Sequence, residues 1–137
     1  MNDFLIQIAS YLDTKNVGVF DTDAGRNIFV GNVPPDPDEC ICILGLIGEV
    51  FGESKEVATL QFPRFQVLTR SRSYESASDL KEAVRTQLHA KYGVILPDWR
   101  ILRCHAEQEG GPIGKDKVGR FEFTINFTAE INAEQSA

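Results

Sequence analysis

Apolar residues recur at helical spacing near the start of the chain. Phe4, Leu5, Ile8, Ala9 and Leu12 fall on one face of a helix expected from Asp3 to about Thr14. Asn2 or Asp3 can cap it, and Gly18 stands just past its end. A second and longer helix is predicted over residues 74–92. Tyr74, Ala77, Leu80, Val84, Leu88 and Tyr92 recur there at three- and four-residue steps, with Ser73 as cap and Gly93 as stop. Elsewhere the pattern is that of strands. Residues 40–46 form an unbroken apolar run, as a buried strand would. Residues 62–72 alternate, with Phe65, Val67 and Thr69 on one face and Arg64, Gln66, Leu68, Arg70 and Arg72 on the other. Residues 99–106 alternate as well, and residues 27–30 make a short strand candidate.

The cleanest alternation is the last. Phe121, Phe123, Ile125, Phe127, Ala129 and Ile131 face one way, and Glu122, Thr124, Asn126, Thr128 and Glu130 the other. Such a strand belongs to a sheet covered on one side and paired antiparallel. Between the elements lie turn-rich stretches. These are residues 17–25, the loop with Pro34, Pro35 and Pro37, residues 48–54, and the glycine-bearing loop from Gly110 to Gly119. The expected fold is α+β: a mixed, largely antiparallel sheet with two main helices packed against it. One domain is expected over residues 1–131, followed by a polar, flexible tail over residues 132–137.

Charge changes this picture little. The chain has 137 residues, 20 acids against 14 bases and a formal net charge of −6, which disfavours a free-standing binder of nucleic acid through a basic surface. The apolar run at residues 40–47 is too short to span a bilayer, and MNDFLIQIAS lacks the basic start of a signal peptide. No membrane partner is expected.

Candidate chemistry is sparse. Cys40 and Cys42 share one face of a buried strand, which is not the turn-borne spacing of a zinc site, and Cys104-His105 stands alone. All three cysteines read as buried thiols. His89 and His105 have no nucleophile context beside them. The stretch Gly110-Gly111-Pro112-Ile113-Gly114-Lys115 has the wrong spacing for a phosphate loop and precedes a strand rather than a helix. The Asp21-to-Gly25 stretch fails as a calcium loop. No catalytic residue, cofactor or metal ligand is assigned, and no enzyme is expected. The arginines at 64, 70 and 72 could bind phosphate, but read first as a solvated strand face or an ion-pairing surface facing another subunit. Asp36, Asp38, Glu39, Glu49, Glu53 and Glu56 are candidates to meet them across an interface.

One combination of motifs carries more than its parts. The run Arg64-Phe65-Gln66-Val67-Leu68-Thr69-Arg70-Ser71-Arg72 leads to Tyr74 and a helix with Ala77, Ala83 and Leu88. A segment of the form Gly-x-Asp-x-x-Gly-Arg, from Gly114 to Arg120, then opens a last strand with Asn126-Phe127. Together with the proline-rich loop, this order resembles the small minor capsid or tail terminator proteins of long-tailed bacteriophages and prophages. The resemblance runs from the first helix to about Phe127. It implies a sheet flanked by helices and a homo-oligomeric ring, generally of six subunits, in the virion at the head-proximal end of the tail, assembled in the host cytoplasm. The implied partners are further copies of the chain, the tail tube protein and the head's connector or completion protein, with genome DNA passing through the lumen without sequence-specific binding. Arg64, Arg70, Arg72, Lys115, Asp116 and Arg120 are the expected subunit or partner contacts. The rival readings are another head–tail joining protein of the neck, a small-ligand-binding domain using the Gly110-to-Gly119 loop, and an enzyme built on a Cys104 thiol of depressed pKa.

Overall fold

A computed structural model describes residues 3–50 and 60–133. Helix α1 (Phe4–Thr14) opens with Asp3, whose side chain accepts from Leu5 N at 2.7 Å. Strands β1 (Ile28–Val30), β2 (Cys40–Val50) and β3 (Leu60–Ser71) follow, and then helix α2 (Tyr74–Leu88). The chain ends with β4 (Lys91–Ile95), β5 (Trp99–Ala106), β6 (Gly111–Lys115) and β7 (Phe121–Ala133). The sheet order is β1-β2-β3-β7-β5-β4, with β6 paired beside β7. Among the described residues β1 and β2 run parallel and the other pairs are antiparallel. This is the α+β architecture that the alternation predicts.

Both helices cover one face of the sheet. Phe4, Ile8, Ala9 and Leu12 of α1 and Val84 and Leu88 of α2 join Ile41, Ile43, Phe65, Val67, Ile101, Ile125, Phe127 and Ile131 in one core. Phe65 stacks on Phe127 with centroids 5.3 Å apart, and Phe4 meets Phe65 edge-on. Thr69 Oγ1 ties the two layers by donating to Ala77 O at 2.9 Å. The opposite face carries rows of paired residues across β2, β3 and β7: Cys42–Leu68–Thr124, Leu44–Gln66–Asn126 and Leu46–Arg64–Thr128. A small apolar cluster of Cys40, Cys42 and Leu68 lies there, with Phe29 packed on it.

Several expectations are corrected. The second helix stops at Leu88 rather than Tyr92, because His89 caps it and Ala90 takes a left-handed φ of 56°. Gly93 is therefore not the stop; it lies inside β4, and Tyr92 is 71% exposed. Gly18 is not a cap either. A Cβ there would lie 2.8 Å from Asn27 Oδ1, so its bareness serves a close approach, while Asn16 takes the positive φ after α1. Residues 48–50 continue β2 rather than forming a loop, and the remainder of that stretch lies outside the described residues. Gly111–Lys115 is a strand, so the stretch from Gly110 to Gly119 is mostly a hairpin arm and its turn. Asn132 and Ala133 belong to β7, and the rest of the expected tail lies outside the described residues.

Candidate functional site

The loop with three prolines crosses the open face of the sheet where β2 begins. Proline has no N–H, so such a loop cannot form a regular ladder and its carbonyls need other donors. Two guanidinium groups supply them. Arg70 in β3 donates to Pro37 O (2.7 Å) and Asp38 O (3.2 Å). Arg120, just before β7, donates to Pro35 O (2.6 Å) and to Asp38 Oδ1 (3.3 Å). Arg70 is only 2% exposed and Arg120 7%. The arginine face of β3 is thus neither wet nor simply ion-paired at Arg70; the loop folds over it.

The turn from β6 to β7 locks onto the same place. Asp116 Oδ1 accepts from Val118 N (3.1 Å) and Arg120 N (2.9 Å), and its Oδ2 accepts from Arg120 Nε at 2.7 Å. Burial acts to raise the Asp116 pKa, but these donors outweigh it and hold the carboxyl below its ordinary value. Asp38 Oδ2 accepts from Arg72 Nε at 2.7 Å, and that bond is the main cause holding its carboxyl low as well. Arg72 also reaches Val118 O at 3.4 Å. Lys115 lies beside this knot, its Nζ 4.7 Å from the centre of the Phe121 ring. Tyr74 packs edge-on against Phe121 and Phe123.

Five of the six singled-out residues therefore gather at one end of the sheet, where Arg70, Arg72, Asp116 and Arg120 brace the proline loop against the hairpin turn and Lys115 lies beside them. Above Arg70 and Arg120 this leaves a shallow groove of about 320 Å³ rimmed by Val33, Pro34, Pro35, Lys117 and Val118. Arg64 stands apart. It forms a two-pronged pair with Glu107 at 2.9 Å on each arm, and Thr128 Oγ1 donates to the same carboxylate at 2.8 Å. The Arg64 bonds are the main cause of a lowered Glu107 pKa. Of the acids offered as interface partners, Asp38 meets Arg72 and Arg120 within its own chain, and Glu53 and Glu56 lie outside the described residues.

Sequence reasoning missed Glu107, the carbonyls of Pro35 and Pro37, and His89. The one available signal was that three prolines in four residues leave acceptors without local donors. His89 Nδ1 accepts from Ala106 N at 2.9 Å and so joins the end of α2 to β5. The thiol reading fails on its own terms: Cys104 is 1% exposed, and burial pushes its pKa up to about 12 instead of lowering it. Among the described residues no group of three His, Cys, Asp or Glu side chains could hold a metal ion, and no helix is long and apolar enough to cross a membrane.

A family model described as "Bacteriophage tail terminator protein" matches residues 11–133. A chain in the solved virion of a native gene transfer agent particle has a similar fold, with a TM-score of 0.59 at 15% identity. That alignment covers 92% of this chain and 93% of the other. A second solved chain aligns with a TM-score of 0.53 at 8% identity, over 98% and 92% of the two. No curated protein sequence matches.

Proposed function

Because the chain belongs to the bacteriophage tail terminator family, we propose that it forms a ring, six subunits in number, that caps the head-proximal end of the tail tube. The cap stops tube polymerisation and offers the head's connector a surface for joining. Genome DNA passes through its lumen, and the protein works in the virion after assembling in the host cytoplasm. Its role is structural rather than enzymatic. The observation that carries this reading is the family match, which spans both helices in whole or part and all seven strands.

The geometry supports an assembly role. The polar side chains that look most like a site, Arg70, Asp116 and Arg120, hold loops in place beneath a shallow groove. A rigid rim suits docking, because little conformational entropy is lost when it binds. Arg70, Asp116 and Arg120 act as positioning residues in this account. Arg72 and Lys115 remain at the surface as contacts to a partner, near Lys117 and Val118, and Arg64 is a separate surface contact beside Glu107.

Cosedimentation with preassembled tubes of the cognate tail tube protein tests the reading. A cap binds in proportion to tube ends, so shearing each tube in two raises the bound amount, up to twofold if either new end is accepted. Binding that follows total tube mass, or no binding, contradicts it.

A further inference from the structure

Among the described residues, two stretches of sheet edge have no partner strand, β4 at one side and the part of β2 beyond β1 at the other. Directly paired residues run in an unbroken row across five strands: Val94 in β4, Ile101 in β5, Ile131 in β7, Gln61 in β3 and Val50 in β2. At one end the row stops on β4, an edge strand. At the other it stops on the outer side of β2. There β1 pairs only with Ile41, Cys42 and Ile43, so among the described residues no strand covers β2 from Leu44 to Val50. Each antiparallel step reverses direction, so β2 and β4, four steps apart, run the same way.

A second copy set with its β4 along this stretch of β2 would extend the sheet as a parallel pair and continue the row. The composition of the two edges fits that contact. The β4–β5 side carries Lys91 and Arg100 against Asp98, with Arg103 paired to Glu130 of β7 at 3.2 Å, whereas residues 44–50 hold Glu49 and no base. Exposed apolar side chains flank both edges: Tyr92, Ile95 and Leu102 on one side and Leu46 on the other. Unpaired strands with such flanks are templates for pairing. Of the other edges, β6 is blunted by Pro112 and β1 is only three residues long.

We infer that the β4 edge of one copy docks on the Leu44-to-Val50 edge of β2 in the next, so that one sheet continues from subunit to subunit. The two surfaces differ, so the contact is heterologous and closes into a ring when the rotation permits. The inference rests on the ring reading above and specifies its interface.

Thiol cross-linking tests it in the full chain, in the presence of tail tube protein. Cys40, Cys42 and Cys104 are buried and do not compete. Glu49→Cys with Tyr92→Cys, treated with a short bis-maleimide, is expected to give a ladder of covalent oligomers on a denaturing gel. Each single variant is expected to stay a monomer. Leu46→Cys with Tyr92→Cys, two residues out of line in the continued row and so roughly 7 Å apart along the strands, gives a second reading of the contact. Dimers from Tyr92→Cys alone, as abundant as those from the pair, would mean that β4 meets β4 and would overturn the inference. Tubes capped by both double variants without any ladder would overturn the inference and leave the ring reading standing. Failure of the unsubstituted protein to cap tubes would overturn both.

Discussion

The side chain that most constrains the site is Arg70. It is large, almost wholly enclosed and bonded to two loop carbonyls. Arg70→Met keeps much of the volume but leaves Pro37 O and Asp38 O without those donors. A buried acceptor left unpaired costs roughly 1–3 kcal/mol, so the unfolding free energy should drop by about 3 kcal/mol in urea titration. A loss below about 0.5 kcal/mol would show that the loop is held by other means. The carboxylates give a second, pH-resolved prediction. Asp38, Glu107 and Asp116 all have lowered pKa values in the fold. Their stabilisation is therefore fully present above the ordinary carboxylate pKa of about 4 and is lost as pH falls through the folded values. The melting temperature should stay level from pH 8 to 5 and then decline. Asp116→Asn should melt lower at pH 7 and decline less steeply below pH 4. An equally steep acid decline in that variant would remove Asp116 from the account.

At the scale of elements, what the sequence revealed depended on how much of each element's burial is local. Strand β5 is legible in its bounds, but its alternation slips at a register shift between Ile101 and Arg103, so that Cys104 rather than Arg103 joins Trp99 and Ile101 among the buried residues. Strand β7 is legible over nearly its whole length because its alternation coincides with its burial. The boundary after α2 is not legible. The apolar spacing continues to Tyr92, but His89 is held by Ala106 in a distant strand, and that bond turns the chain early. A tertiary partner there overrides periodicity. Strand β6 is hidden by Gly111, Pro112 and Gly114, which read as loop until β7 supplies the partner backbone. The site was half legible. Five of the singled-out residues gather at one place, yet the role of Arg70 and Arg120 as loop anchors needed the fold, because the loop acceptors Pro35 O, Pro37 O and Asp38 O are backbone carbonyls that no side-chain pattern reports. The end of α2 offers its own test. Ala90 sits at a φ of 56°, a region costly for a residue with a Cβ. Ala90→Gly should raise the unfolding free energy by about 0.5–1 kcal/mol in denaturant titration. A decrease would mean that the helix ends for a different reason.

At the scale of the whole molecule, a sheet covered by helices on one face leaves its other face and its two outer edges for neighbours. The braced proline loop and hairpin stand at one end of that sheet, and the uncovered stretch of β2 runs toward the other. Contacts along the sheet edges and contacts at the sheet's end thus use separate surfaces, as a ring stacked on a tube requires. The most direct test is negative-stain electron microscopy of the cognate tail tube protein polymerising with and without this protein. The account predicts tubes of halted length that bear an added ring at one end. Tubes that grow to the same lengths with bare ends, beside small free particles, would contradict it.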